Sequence, residues 1–256
     1  MRPLFLLSND DGYNAKGLQT LANVARQFGD VVVMSTEINS SAKSHSLTTN
    51  MPLRVRQYND EPDFKVYACN GTPVDCVKLG VEHFCDRRPS LILSGINHGS
   101  NASINELYSG TIGAAAEGVT NGYPAIGFSL LDHHYDADFE PCVPFVREII
   151  SAALEKGLPK DVVLNVNFPG HDSKEHTIKG MKVCRAARAY WTDSFEKRID
   201  PHGHPYWWLT GKFVCDDWAP DTDQWALDNG YVSIVPQSID HTSHHTIETI
   251  KALFEK

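Results

Sequence analysis

An α/β fold, a mostly parallel sheet sandwiched between helices with an aromatic-rich arm inserted near its end, is what this chain of 256 residues predicts. Three observations predict it. The N-terminus alternates strand, helix and strand within residues 3–35, a pattern of parallel pairing. Apolar runs bounded by turn residues recur at 89–95, 124–131 and 161–169, with helical stretches between them. From 186 to 230 the composition shifts to Trp, Tyr, Asp, Pro, Gly and His.

Residues 3–8 read as a short buried strand. Leu18, Leu21, Ala25 and Phe28 recur at helical spacing over 17–28, and Gly29 is a stop. "DVVVMS" at 30–35 is the second strand. Segments 53–57 and 64–69 are two more, joined by a polar turn around "NDEPD". "TPVDCVKLGVEHF" at 72–84 opens with a Thr cap and a first-turn proline, which favours a helix. "PSLILSG" is a buried strand over 89–95, and "SGTIGAAAEGVTNG" a small-residue helix over 109–122. "PAIGFSLL" returns to strand over 124–131, and 142–156 is an amphipathic helix. Strands at 161–169 and 180–185 follow. The arm, about 186–229, carries Trp191, Trp207, Trp208, Trp218 and Trp225, so it reads as a loop-and-hairpin excursion rather than a linker. Strand 230–236 and helix 246–256 complete the core, so 1–185 and 230–256 form one domain with the arm as its extension.

With 23 basic and 32 acidic residues the formal net charge is -9, and no Lys/Arg run occurs. That argues against duplex nucleic acid as a partner. An acidic protein that handles phosphate needs a metal or a local cradle of donors. Cys69, Cys76, Cys85, Cys142, Cys184 and Cys215 are scattered without a CxxC pair, which points to reduced thiols and a cytoplasmic location. The first apolar run is too short for a signal-peptide core, and no segment is long enough for a membrane span.

Ligands of open parallel sheets bind beyond the carboxyl ends of strands. After the first strand come Ser8, Asn9, Asp10, Asp11 and Gly12; after the second, "STEINSSAKSHSLT"; after "LIL", "SGINHGSN". Adjacent carboxylates at a strand end, in a turn relaxed by Gly12, can bend toward one hard divalent cation, which relieves their repulsion. Asn97 can add an amide oxygen and a serine from 40–46 a hydroxyl. The plainer account of Asp10 and Asp11 is a helix cap beside a solvated acid. Ser109, Gly110 and Thr111 stand where a helix begins, where free N–H groups and the helix dipole favour an anion. A routine Ser/Thr cap is the plainer account there.

"LLSNDDG", a serine-rich loop ending in "SLT", "GTPVDCV", "SGINHGSN", "YSGTIGAAAEG" and "GYVSIVP", in this order, resemble the SurE (stationary-phase survival protein) family of metal-dependent nucleotidases. The resemblance runs from residue 3 to about 240. It implies a Rossmann-like three-layer core and an arm exchanged between subunits of a homodimer or tetramer. It implies phosphatase action on nucleoside monophosphates, at the 5′ or 3′ position, with some action on polyphosphate. One divalent ion per subunit, Mg²⁺ or Mn²⁺, would be held by Asp10, Asp11, Ser41 and Asn97. One departure stands out: the family's Arg-Ser-Gly-x-Ser loop reads "SSAKS" at 40–44, with Ser40 for the arginine and Ala42 for the glycine. Lys43 is the one positive charge left in that loop segment.

The expected chemistry is phosphomonoester hydrolysis by metal-activated water, with Asp10 or Asp11 orienting or deprotonating it. Asn9, Asn101 and the Ser109, Gly110, Thr111 turn would hold phosphate oxygens. A phospho-aspartyl route through Asp10 is the rival, but the i+2 position is Gly12 and supplies no acid. The alternative of another class is a nucleotide- and metal-binding module without turnover; neither GxGxxG nor GxxxxGK[ST] occurs to support it. His241, His244 and His245, like His133 and His134, read as surface or helix-start histidines rather than zinc ligands. The tryptophans read as arm packing rather than base stacking. Asn70, Gly71 and Thr72 are either a plain strand-to-helix turn or a neighbour of the nucleoside.

Overall fold

The computed structural model describes residues 2–134, 136–170 and 177–255. In chain order its elements are β1 (Leu4–Ser8), α1 (Lys16–Ala25), β2 (Asp30–Thr36), β3 (Val55–Glu61), β4 (Phe64–Cys69), α2 (Pro73–Leu79), β5 (Leu91–His98), α3 (Gly110–Thr120), β6 (Ala125–Leu130) and α4 (Val143–Lys156). They continue with β7 (Val162–Phe168), β8 (Gly180–Val183), β9 (Ala189–Ile199), β10 (Pro205–Cys215), α5 (Asp223–Asp228), β11 (Tyr231–Ser238) and α6 (Ile247–Phe254). The last residue of the helix expected over 246–256 lies outside the described residues.

Nine strands form one sheet in the order β3-β4-β2-β1-β5-β6-β7-β11-β8. From β4 to β7 every neighbouring pair is parallel. Antiparallel pairing enters at β3 and between β7 and β11. The architecture is Rossmann-like, with helices on both faces. Strand alternation explains the layers. Phe5, Leu7, Val31, Val33, Leu91 and Leu93 face one way and pack with Leu18 and Leu21 of α1 and Val146 and Ile150 of α4. Leu4, Leu6, Val32, Met34 and Ile92 face the other way, toward Cys76 and Val77 of α2 and Ala114, Ala115 and Val119 of α3. Each such fully buried Leu contributes about 1.5–3 kcal/mol.

Three elements differ from the sequence reading. β3 runs to Glu61 through residues assigned to the turn, because an exposed edge strand tolerates polar residues while β4 supplies its ladder. The helix expected over 72–84 is α-helical to Leu79 and ends in a π-helical turn, Gly80–Phe84. Inside the arm region a short helix, α5, forms on a Thr222 cap over the buried Asp223.

β9 and β10 pair over their full length as a separate hairpin. Its register puts Trp191, Phe195, Ile199, Trp207, Leu209 and Phe213 on one face and mainly polar side chains on the other. Phe195 and Leu209, directly opposite each other, are both 65% exposed, so the outer part of the apolar face is bare. α6 buries none of its residues. Among the described residues no helix is long and apolar enough to cross a membrane.

Candidate active site at the β1–β5 crevice

The chain moves outward from β1 in one direction through β2 and β4, and in the other through β5, β6 and β7. The turns after β1 and β5 therefore border the crevice where such sheets hold ligands. Asn9, Asp10 and Asp11 follow β1, and Asn97 is the next-to-last residue of β5.

Asp10 is 3% exposed. Thr111 Oγ1 donates to its Oδ1 at 2.6 Å, and its backbone oxygen accepts from Ser40 N at 2.7 Å. Gly110 makes this close approach possible: a Cβ there would sit 2.9 Å from Asp10 Oδ2. The start of α3 thus lies against the carboxylate, and the anion it meets is a side chain of the protein itself. Burial pushes the Asp10 acid up to about 6, against the Thr111 hydrogen bond that lowers it and with the Asp11 charge that raises it. Asp11 is half-buried and accepts from His98 N at 3.2 Å through Oδ2. Burial raises its acid as well, against that hydrogen bond. Gly12 takes φ 107°, as the turn after the acids requires.

Asn97 is buried, and its Nδ2 donates to Gly99 O at 2.9 Å, which leaves its carbonyl oxygen out of that bond. Asn9 is fully buried; its Oδ1 accepts from Ser35 Oγ, and its Nδ2 finds no partner among the described residues. A buried donor without a partner is costly unless a ligand or water meets it. Ser41 is exposed, one residue beyond the Ser40 anchor, and its hydroxyl donates to Asn39 Oδ1 at 2.8 Å. Ala42, standing where the resemblance leads one to expect glycine, takes φ 60°. Further along, Ser44 N donates to Tyr108 O at 3.1 Å, and His45 Nε2 lies 2.8 Å from Glu117 Oε2 on α3. The serine loop is therefore tied to Asp10 at one end and to α3 at the other.

The structure brings Asn9, Asp10, Asp11, Asn97, Gly110 and Thr111 to one place and hangs Ser41 beside it. Ser109 caps α3 by accepting from Ile112 N at 3.0 Å. Asn101 is placed differently, in a buried amide network. Its Nδ2 donates to Ser129 Oγ at 2.8 Å, its backbone N–H to Asn167 Oδ1 at 2.9 Å, and Asn165 Nδ2 donates to its carbonyl at 2.8 Å. Asn165 and Asn167 escaped the sequence reading, although two amides at alternate positions of the buried strand "LNVNF" were a signal. His98, whose backbone N–H holds Asp11, left no such signal.

Two neighbouring carboxylates, both raised by burial, with an amide oxygen alongside, are a hard oxygen set short of positive charge. These residues fit a divalent cation. Among the described residues no group of three or more His, Cys, Asp or Glu is arranged to hold a metal, so amide and hydroxyl oxygens would complete the set. Two cavities lie on opposite faces of the sheet. One of about 340 Å³ is lined by Tyr13, Asn14, Leu18, Val33, Tyr58 and Phe64. A smaller one, of about 140 Å³, opens beside Ser109.

The family model described as "Survival protein SurE" matches residues 5–193. Among relatives, the chain is similar to the 5'-nucleotidase SurE of Flavobacterium johnsoniae, 50% identical over 250 residues that cover 97% of this chain and 96% of the relative. It is 49% identical to the 5'-nucleotidase SurE of Flavobacterium psychrophilum over 250 residues, with the same coverage of 97% and 96%. The crystal structure of a SurE protein from Aquifex aeolicus matches with a TM-score of 0.83 at 38% identity, covering 98% of this chain and 99% of that one.

Proposed function

The chain belongs to the SurE family, and from that premise we propose that it is a metal-dependent phosphatase that hydrolyses nucleoside monophosphates. The observation that carries this reading is the pair Asp10–Asp11 at the sheet's crevice, with the start of α3 pressed against the buried first acid. The names of the relatives favour the 5′ position. Action at the 3′ position and on polyphosphate belongs to the same proposal.

Asp10, Asp11, Asn97 and Ser41 would hold one Mg²⁺ or Mn²⁺ per subunit; for Ser41 this means turning its hydroxyl from Asn39. The ion would supply charge against the phosphoryl oxygens and lower the pKa of a water. The protein's own residues do the rest. Thr111 fixes the Asp10 carboxylate. Asp11, the more open acid, orients the attacking water and takes its proton. Asn9 Nδ2, a donor without a partner among the described residues, the Ser109 hydroxyl and the main chain of Gly110 meet phosphate oxygens. Asn101 anchors the turn after β5: one of its Nδ2 hydrogens goes to Ser129 Oγ, and the second is left for a phosphate oxygen.

The whole chain, 1–256, is read as one domain with the arm at about 186–229. The bare outer part of the hairpin's apolar face and the unburied α6 support a homodimer or tetramer formed by arm exchange. The six free cysteines support the cytoplasm as its compartment.

The test is phosphate release from 5′- and 3′-monophosphates, short polyphosphate and an aryl phosphate, with and without each metal, beside Asp10→Asn. Metal-dependent release from the monophosphates, lost in the variant, is expected. Tight nucleotide binding with no release under any metal would leave only the binding-module alternative.

A further inference from the structure

The cavity of about 140 Å³ lies between the first turns of α3 and the end of β11, and Ser109 is part of its wall. It adjoins the turn assigned to phosphate. Drug-sized ligands occupy pockets of about 300–1,000 Å³, so this one takes a fragment of a ligand. Ile112, Ala116 and Val163 give it apolar walls. Two of its lining residues carry buried polar atoms without a partner among the described residues: Glu106 Oε2 and Gln237 Nε2. Native proteins leave few such atoms, and each has a reason. Here one is an acceptor and the other a donor. Burial pushes the Glu106 acid up to about 7, with the nearby Asp223 charge adding to the rise. An N–H delivered to Oε2 would relieve that burial penalty.

We propose that this cavity seats the nucleobase of the substrate, with Glu106 accepting from an N–H of the base edge and Gln237 Nε2 donating to the adjacent ring nitrogen or carbonyl oxygen. Nucleobases present a donor beside an acceptor on the pairing edge, flat apolar faces for walls like these, and a sugar-phosphate that leads back toward Ser109. This inference rests on the nucleotidase reading and adds to it the residues that recognise the nucleoside part.

The experiment uses the metal-loaded full chain and two near-isosteric changes, Gln237→Met and Glu106→Gln. It compares kcat/KM for nucleoside 5′-monophosphates with that for p-nitrophenyl phosphate, which has no base. In each variant the ratio of nucleotide to aryl phosphate should fall about tenfold, the factor that about 1.4 kcal/mol represents, with the change in KM. Competitive inhibition of aryl phosphate turnover by free nucleosides should weaken by a similar factor. An unchanged ratio, or an equal fall on both substrates, overturns the assignment. If the wild type turns over neither substrate, the hydrolase reading fails, and nucleoside-induced protection against melting then decides the cavity. Protection lost in Gln237→Met supports it, and no protection overturns it.

Discussion

At Asp10 two demands meet. The carboxylate is 3% exposed, and its acid is raised from 3.8 to about 6, chiefly by burial. A folded state with a raised acid binds the proton more tightly than the unfolded chain, so ionisation works against folding. That penalty is absent below 3.8, grows as pH rises, and is complete above about 6. Asp10→Asn keeps an acceptor for Thr111 and removes the charge. In metal-free protein at about pH 8 it is expected to melt higher, by up to about 3 kcal/mol in stability. The advantage should vanish near pH 4. Its turnover should fall by about 10²–10³. Equal melting of the two proteins at both pH values would show that the acid bears no burial penalty.

Among the elements, α3 has the closest bond to the chemistry. Its hold on Asp10 includes the hydroxyl donated by Thr111 at 2.6 Å, beside the backbone N–H of the same residue. Thr111→Val keeps the shape and removes that donor, so kcat is expected to fall about tenfold or more while stability drops by about 1 kcal/mol. Thr111→Ser should restore most of the rate; if it does not, the hydroxyl is not what positions the acid. The hairpin β9–β10 poses a different question, since the outer part of its apolar face, at Phe195, Ile199, Trp207 and Leu209, is exposed. If the proposed oligomer forms through this face, Phe195→Asp with Leu209→Asp should leave monomers in light scattering, with the circular dichroism of the core retained. An unaltered mass would remove the hairpin from the interface. Of these elements α3 was legible from Ser109 and the small residues after it, because caps and close packing leave local signatures. That its partner would be Asp10, 101 positions away in sequence, was not, because no local rule encodes a long-range contact.

For the molecule as a whole, a cation that binds only the folded state must stabilise all of it. Mn²⁺ at about 100 times its Kd should add about 2.7 kcal/mol to the wild type. It should add far less to Asp10→Asn, and a chelator should reverse the gain; an equal rise in both proteins would place the ion elsewhere. The layered fold could be read from residues such as Leu4 to Leu7 and Val31 to Val33, because buried parallel strands are near-continuous apolar runs. The acids could be read as well, since charge at the end of such a run needs a purpose. Three things could not: that Asn101 joins Asn165 and Asn167, that Glu106 and Gln237 line one cavity, and that α5 folds on Asp223. Each depends on segments far apart in sequence, and the polar residues involved look like any loop or strand edge until the sheet places them.

β1 touches both cores, with Leu4 and Leu6 committed to one and Phe5 and Leu7 to the other. Inserting or deleting one residue there would swap both commitments at once. The bearing of Asp10 toward α3 is therefore locked in phase with the greasy interior, and this stretch can drift in side-chain size but not in length. Any retuning of what the crevice binds falls to the loops around the acids, since the strand that aims them has no slack to give.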